Sequence, residues 1–357
     1  MVPKRLSQWI ETRFKGIAQD SVHKSVSLDF TNRKAKILYR LRSYARLSWH
    51  MWRRGVPARE ILRTQFPLME PDPRRPALVT VEFTNHCNLR CVYCNSPVDP
   101  RPRGFMAGET FERLLEGLRL LGVNRVRVVG SGEPTLHPEF AHFIRALGKA
   151  VPFVSVLTNG QWKSPVEIIE PVLDSPVSLL EISVNGDNKE DYEKSRRGGL
   201  FERLIENLTM LKTRQGKRRS QTITNIRLML RPSERAAEKR LSAFWRHCAD
   251  SVMPQYVFAL KCSTYREDVY MPRHWDNPSY PMCAAPFKAM NVEWNGDVPL
   301  CSFALEQTGG LGLVLGNVMT DSLGDLWNGK VMRQYREGHR KREVDKIPVC
   351  KGCTACY

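Results

Sequence analysis

The sequence has 357 residues, of which 42% are hydrophobic and 26% are charged, which is the composition of an ordinary globular protein. This excludes a chain that is disordered, collagenous or coiled coil throughout, and the length suffices for one large domain or two smaller ones. No stretch approaches the roughly 20 apolar residues of a membrane span. Residues 1–6 lack the apolar run of a secretory signal, so we expect a cytoplasmic protein.

Positive charge is concentrated at the N-terminal end. The formal net charge of the sequence is +18, and residues 1–76 contribute +11 of it, from 17 Lys and Arg against 6 Asp and Glu. Within this arm, Ile37, Leu41, Ala45 and Trp49 recur at helical spacing, with arginines on the other faces. The pattern predicts a basic amphipathic helix, which either binds acidic lipid, nucleic acid or a phosphorylated substrate, or simply forms a solvated face.

Three prolines in residues 70–76 predict a linker that ends the arm. Beyond it, β-branched runs alternate with helical patterns, which predicts parallel βα units with right-handed crossovers. The predicted strands cover 78–83, 126–129, 153–157, 178–184, 222–230 and 256–260, and the predicted helices cover 109–121, 138–149, 166–173, 201–213 and 234–248. Because six strands do not fill an eight-stranded barrel, we expect an α/β fold of the partial (β/α)6 barrel type.

The pattern changes after residue 280. Residues 289–294 and 297–302 flank Asn295-Gly296, a dipeptide typical of β-hairpin turns, and residues 321–342 predict an N-capped helix. The sequence therefore predicts three parts: a basic, mainly helical arm over 1–76, the partial barrel over 77–280, and a small α+β module over 281–357.

Eight of the ten cysteines fall into two groups. In a long chain without a secretory signal, we expect reduced thiols that are available to iron or zinc rather than disulfides. Cys87, Cys91 and Cys94 lie within eight residues of one loop, just after the first predicted strand. Three such thiols suit three corners of a [4Fe–4S] cluster whose fourth iron has no protein ligand, whereas a structural zinc site needs a fourth ligand.

This C-x3-C-x2-C spacing at the end of the first strand of a βα series resembles the signature of the radical S-adenosylmethionine (radical SAM) enzymes. The resemblance implies that the amino and carboxylate groups of SAM bind the open iron, and that SAM cleavage gives a 5′-deoxyadenosyl radical that abstracts hydrogen from a C–H bond. It also implies that Tyr93, the aromatic residue before the third cysteine, lies beside the adenine.

Further segments resemble the SAM-binding motifs of that family. Residues 130–134, Gly-Ser-Gly-Glu-Pro, are similar to its Gly-Gly-Glu-Pro element, which implies that Glu133 lies near the methionine amine. Residues 181–186 are similar to its Ile-Ser-Leu-Asp-Gly segment, with asparagine replacing the commoner aspartate, and Arg197 matches a segment that supplies a cation, a role for which Arg196 competes. The implied SAM-binding residues are Tyr93, Gly130, Ser131, Gly132, Glu133, Ser183, Asn185 and Arg197.

The second cysteine group resembles the SPASM/twitch extension of radical SAM enzymes, which holds auxiliary iron–sulfur clusters. Gly296 is expected to form the turn that brings its first two thiols together. The count permits one auxiliary [4Fe–4S] cluster, and a zinc ribbon is the alternative. The candidate ligands are Cys283, Cys301, Cys350 and Cys353, with Cys356 as a substitute.

The resemblance implies a radical SAM oxidoreductase or epimerase. One auxiliary cluster is similar to the arrangement in the twitch-type dehydrogenase of aminocyclitol antibiotic biosynthesis, so we expect oxidation of a sugar or aminocyclitol, with electrons supplied by a donor such as flavodoxin or ferredoxin. Cys262, just after the sixth predicted strand, is the candidate hydrogen donor for an epimerisation. A SPASM-type peptide maturase and a non-catalytic, metal-stabilised nucleic-acid-binding protein are the alternatives.

Overall fold

The computed structural model describes residues 74–218, 220–257, 283, 285–302 and 313–350, with Ser48, Trp49, Trp52, Arg53 and Ala58. By internal contacts the chain divides into two units, residues 1–61 and residues 62–357. Most of the predicted basic helix, the end of the sixth predicted strand, Cys262, Cys353 and Cys356 lie outside the described residues.

The second unit alternates strands and helices along the chain. In the described residues, the strands are β1 (Leu78–Val81), β2 (Arg90–Cys91), β3 (Arg125–Val128), β4 (Phe153–Thr158), β5 (Val177–Val184), β6 (Arg196–Arg197), β7 (Ile223–Leu230), β8 (Ser251–Tyr256), β9 (Ala289–Val292), β10 (Asp297–Pro299) and β11 (Val314–Asn317). The helices are α1 (Gly108–Leu120), α2 (Phe140–Ala150), α3 (Pro165–Asp174), α4 (Lys189–Ser195), α5 (Phe201–Arg218), α6 (Glu238–Trp245), α7 (Ala285–Lys288), α8 (Leu323–Asn328) and α9 (Lys330–Arg340).

Seven of these strands form one parallel sheet in the order β8-β7-β5-β4-β3-β1-β9. The sheet is open, because β8 and β9 form its two edges and do not pair with each other. Six βα strands confirm the partial (β/α)6 barrel: five lie at the predicted positions, and the sixth, β8, shares only Tyr256 with its predicted range of 256–260. A seventh strand, β9, comes from the C-terminal part of the chain.

The hydrophobic core lies between the outer face of this sheet and the helices. Val126 and Val128 on β3 and Val154 and Val156 on β4 are fully buried in it. From the helices, Phe111 and Phe143 stack with their ring centroids 3.8 Å apart. Because side chains alternate between the faces of a strand, the residues between these valines point to the inner face of the barrel.

The inner face carries several polar side chains among apolar ones. Register pairs Arg127 with Ser155, Glu181 with Asn225, and Ser183 with Arg227 across neighbouring strands. These positions alternate with apolar core residues in each strand, so they line the interior, and Arg127 and Ser183 are each one residue from the carboxyl end of their strand. In barrels of parallel βα units, that end carries the functional site.

The predicted β-hairpin over residues 289–302 is wrong in one respect: its two strands, β9 and β10, do not form a ladder with each other. β9 pairs in parallel with β1, and β10 pairs antiparallel with β11. The Asn295-Gly296 turn itself is present, with Gly296 at φ +88°. The reason is burial: Met290 and Val292 are almost fully buried when β9 extends the barrel sheet.

The predicted helix over residues 321–342 is divided in two. Ser322 caps α8 by accepting a hydrogen bond from the backbone N–H of Asp325, and α8 ends at Asn328. Gly329 then adopts an extended conformation and is the N-cap of α9, which begins at Lys330. In the part of the chain that the structure describes, no helix is long and apolar enough to cross a membrane.

Candidate active site

The first cysteine group lies on the loop that leaves β1 at the carboxyl edge of the sheet. Cys87, Cys91 and Cys94 are all half-buried and none forms a disulfide. The backbone N–H of Leu89 lies 3.4 Å from Cys87 Sγ, and that of Ser96 lies 3.4 Å from Cys94 Sγ. Backbone donors directed at sulfur stabilise a thiolate, which is the form that binds metal.

The chemistry of this donor set fits a [4Fe–4S] cluster. Burial, together with the negative charges of Glu133, Cys91 and Cys94, raises the pKa of the Cys87 thiol to about 12, although the hydrogen bond from the Leu89 N–H opposes this rise. A thiolate at this position therefore needs a cationic partner, which iron supplies. Three cysteines from one loop would hold three irons of the cube, and the fourth iron would be available to SAM.

The turn after β3 packs directly on the cysteine loop. The backbone N–H of Glu133 donates to the carbonyl of His86 at 2.8 Å. A Cβ at Gly132 would lie 2.3 Å from the carbonyl oxygen of Thr84 and 2.4 Å from that of His86. Only glycine allows this close approach of two backbones, so Gly132 fixes the position of the loop before Cys87.

The carboxylate of Glu133 is engaged by protein groups. It accepts hydrogen bonds from the hydroxyls of Thr135 and Thr158, both at 2.7 Å, and from the backbone N–H of Asn159 at 2.7 Å. Burial raises the pKa of Glu133, and these donors oppose that effect. Glu133 thus ties the ends of β3 and β4 together at the site, and its expected approach to the methionine amine stays a prediction.

Ser131 joins the same turn to an ion cluster that the sequence did not predict. Its backbone N–H donates to Glu82 Oε1 at 2.7 Å, and its hydroxyl accepts from Arg101 Nη2 at 3.0 Å. Arg101 in turn contacts Glu82 at 2.8 Å, Asp99 at 2.7 Å and Glu293 at 2.9 Å. A Cβ at the neighbouring Gly130 would overlap the Glu82 side chain. Three carboxylates around one arginine leave this part of the site negative.

We expect Glu293→Gln to stabilise the protein at pH 8 but much less at pH 5. Burial raises the pKa of Glu293 to about 7, with Glu82 and Asp297 adding to the effect and Arg101 opposing it. Since the pKa is higher in the folded state, the wild-type free energy of unfolding falls as pH rises from about 4.5 to about 7. Glu293→Gln has no carboxyl group to titrate at this position, so its free energy of unfolding does not fall in this way. Between pH 5 and pH 8 the difference corresponds to about 2–3 kcal/mol. Chemical denaturation at both pH values measures it.

The exposed Glu116 on α1 provides the control for that experiment. Glu116→Gln should change the free energy of unfolding by less than about 0.5 kcal/mol at either pH. An equal effect of Glu293→Gln at pH 5 and pH 8 would show that Glu293 does not titrate in this range.

On the other side of the cysteine loop, a buried network joins β5 to β6. Asn185 Oδ1 accepts hydrogen bonds from the Tyr93 hydroxyl and from Arg196 Nε, the latter at 2.8 Å. Arg196 Nη2 donates to the Ser183 hydroxyl at 2.7 Å, and Asn185 Nδ2 donates to the carbonyl of Met229 at 2.8 Å. The structure therefore brings together Tyr93, Ser183 and Asn185, three residues that the sequence predicts to bind SAM.

Arg196, rather than Arg197, is part of this buried network. Arg196 is 3% exposed and lies opposite Cys91 in the short β2–β6 ladder, whereas Arg197 is exposed and lies opposite Arg90. The two arginines differ in burial because adjacent residues of an extended segment point to opposite sides, and the role of Arg197 toward SAM stays a prediction. The sequence alone does not show which of the two points inward.

The described cysteines of the second group act electrostatically on Tyr335 of α9, and Cys350 contacts it. The charges of Cys301, Cys350 and Cys283 add to the effect of burial in raising the pKa of this tyrosine. Cys350 Sγ lies 3.4 Å from the Tyr335 hydroxyl and 3.4 Å from His339 Nε2. In the described residues no three of these side chains lie close enough to hold a single metal ion, so the fit to the auxiliary cluster is one of chemistry: these are thiols, with polar groups close to one sulfur.

Two family models match the chain. The radical SAM superfamily model covers residues 81–239, and a model of the iron–sulfur cluster-binding domain SPASM covers residues 283–354. The first match includes the cysteine loop and ends within α6. The second includes Cys283, Cys301, Cys350 and Cys353.

Curated relatives match over the radical SAM part. A GTP 3′,8-cyclase of Lactiplantibacillus plantarum is 30% identical over 139 residues, which are 37% of this chain and 40% of that protein. An AdoMet-dependent heme synthase of Methanosarcina barkeri is 28% identical over 139 residues, or 38% of this chain and 39% of that protein. The match thus spans about two fifths of the length of these relatives.

Solved structures share the fold over most of the chain. BtrN in complex with AdoMet and 2-DOIA has a TM-score of 0.53 at 16% identity, covering 79% of this chain and 94% of that one. Streptococcus suis SuiB bound to S-adenosylmethionine has a TM-score of 0.60 at 15% identity, covering 84% of this chain and 78% of that one. Residues 81–239 therefore belong to the radical SAM superfamily and residues 283–354 to the SPASM iron–sulfur cluster-binding domain, so the cofactors are SAM, a [4Fe–4S] cluster and an auxiliary cluster.

Proposed function

We propose that this chain oxidises a hydroxyl-bearing carbon of a sugar or aminocyclitol. The observation that carries the proposal is the position of the second cysteine group: Cys283 and Cys301 flank β9, and β9 pairs directly with β1, which leads into the first cysteine group. An oxidation that begins with loss of a hydrogen atom leaves one electron to remove. An electron acceptor beside the first site meets that need.

The reaction balances as removal of two hydrogens from a CH–OH group. When bound, the cofactors supply a 5′-deoxyadenosyl radical that takes the carbon-bound hydrogen atom, and an auxiliary cluster that takes the electron left when the hydroxyl loses its proton. The product is a ketone. The protein residues position the reactants: Gly132 and Glu133 hold the cysteine loop, and the network of Tyr93, Asn185 and Arg196 forms the opposite wall.

The choice of substrate class is supported by two features. The polar side chains on the inner face of the barrel suit a small molecule with several hydroxyl groups, and the BtrN structure of similar fold contains AdoMet and 2-DOIA. A peptide substrate is the second candidate, because a SuiB structure of similar fold is bound to the precursor peptide SuiA. An epimerisation would need a hydrogen donor, for which Cys262 stays the prediction.

Separate loss of each cluster tests this function. Cys91→Ala is expected to abolish SAM cleavage to 5′-deoxyadenosine, because only two thiols of the first group would remain. Cys301→Ala is expected to keep cleavage of SAM but to stop oxidation of the substrate, because the electron acceptor is lost. Anaerobic reconstitution should give about eight irons in the wild type and about four in each variant.

Cys248 provides the matched control, since it is half-buried and belongs to neither group. Cys248→Ala should keep both the iron content and SAM cleavage. Full SAM cleavage by Cys91→Ala would contradict the ligand assignment. Full product formation by Cys301→Ala would remove the auxiliary cluster from the electron path.

A further inference from the structure

The inner face of the barrel carries a cluster of arginines that the proposed reaction does not use. Arg125 and Arg127 lie on β3, and Arg227 lies on β7. They alternate along their strands with Val126 and Leu228, which are fully buried in the outer core. The three arginines therefore project from the inner face of the sheet.

The carboxylate of Glu181 on β5 fixes two of these arginines. Glu181 Oε2 lies 2.9 Å from Arg127 Nη2, and Glu181 Oε1 lies 2.9 Å from Arg227 Nε. Burial alone would raise the pKa of Glu181, but the charges of Arg227, Arg127 and Arg125 lower it. The ionised carboxylate thus holds the guanidinium groups of both arginines in place.

Positive charge exceeds negative charge at this position. In the described strands β3, β4, β5 and β7, three arginines act on the single carboxylate of Glu181, and the inward residues Ser155 and Ser183 are neutral, whereas the carboxylates in excess lie around Arg101, beside β1 and β9. Partial burial of net charge is unfavourable unless an opposite charge is bound nearby. An anion in the barrel would offset that cost.

The two paired arginines are accessible from the interior. The side chains of Arg127 and Arg227 are 22% and 20% exposed, whereas that of Glu181 is 7% exposed. Register places Arg227 opposite Ser183, whose hydroxyl accepts a hydrogen bond from Arg196 in the predicted SAM-binding network. The arginine cluster is therefore next to the place where a substrate would meet the cofactor.

We propose that Arg127 and Arg227, oriented by Glu181, form a binding subsite for an anionic group of the substrate, a phosphate or a carboxylate. The guanidinium fork matches the oxygen pairs of both groups. This inference rests on the proposed function and narrows it: the substrate is a sugar-like molecule that carries a negative charge, held so that its hydroxyl-bearing carbon lies toward SAM.

Equilibrium binding to the anaerobically reconstituted protein with SAM tests the subsite. The probes are glucose 6-phosphate, gluconate and glucose, which present a phosphate, a carboxylate and no charge. We expect at least one charged probe to bind tenfold or more tightly than glucose. Arg227→Gln and Arg127→Gln should each remove most of that preference, and Arg227→Lys should restore part of what Arg227→Gln loses.

Arg214→Gln is the matched control, because Arg214 pairs with Glu170 between α5 and α3, on the helices outside the barrel. Iron content and SAM affinity show whether each variant folds. The proposal is overturned if glucose binds as tightly as both charged probes, or if folded Arg227→Gln keeps the full preference. Anion binding without any SAM cleavage by the wild type would support the subsite and contradict the proposed oxidation, so the two failures are distinguishable.

Discussion

Gly132→Ala is expected to prevent iron from loading at the first cysteine group, whereas Gly216→Ala should leave loading unchanged. The added Cβ at residue 132 would lie 2.3 Å from the Thr84 carbonyl oxygen and 2.7 Å from the Asn85 carbonyl carbon. These are backbone atoms of the loop that carries Cys87, so the contact is relieved only if that loop moves. Overpacking costs about 1–3 kcal/mol, and the movement displaces a cluster ligand as well.

Iron content after anaerobic reconstitution measures the effect of Gly132→Ala, and we expect about four irons instead of about eight. Gly216 on α5 is the matched control, because a Cβ there would meet nothing within 4 Å. In a helix interior, alanine in place of glycine stabilises by about 1 kcal/mol. A full iron complement in Gly132→Ala would show that the loop accommodates the methyl group and that Gly132 does not set the position of Cys87.

Arg196→Gln is expected to weaken SAM binding at least tenfold, whereas Arg197→Gln should change it little. Arg196 donates to Ser183 and Asn185 from a buried position, and its loss leaves both acceptors without that partner. Hydrogen bonds to a charged group contribute about 1.5–3 kcal/mol each. Arg197 is exposed, and surface changes of this kind usually stay within about 0.5 kcal/mol.

The SAM dissociation constant and the thermal unfolding midpoint of both variants check this prediction. Arg196→Lys keeps the charge but loses the planar fork, so we expect a partial recovery of SAM binding. If Arg197→Gln weakens SAM binding more than Arg196→Gln does, the sequence-based choice of Arg197 was right and the buried network is structural only.

The barrel could be predicted from the sequence because its strands are buried on the outer face and lie between amphipathic helices. Such strands appear as short β-branched runs, and the helices between them show the 3.6-residue period. The pairing of β9 could not be predicted, because the strand that joins β1 is separated from it by about 200 residues and local turn chemistry indicates only a hairpin. The helix α4, with seven mostly charged residues, shows no apolar period and was missed.

For the site, the spacing of Cys87, Cys91 and Cys94 was sufficient to locate the cysteine loop. The cluster around Arg101 was missed, because Glu82 and Glu293 come from strands more than 200 residues apart. A partial signal exists for the residues beside Cys350: Tyr335 and His339 are four residues apart in a helix that precedes a cysteine group. Their contacts with sulfur depend on the tertiary fold.

The parallel pairing of β9 with β1 bears on how electrons move within the protein. In the proposed oxidation, the candidate ligands of the two clusters lie beside β1 and β9, neighbouring strands of one sheet, so we expect main-chain hydrogen bonds rather than a hinge to set the tunnelling distance. Transfer across such a fixed gap does not wait for domain motion. Its rate should be insensitive to solvent viscosity, and any change in that rate would come from the driving force between the two centres.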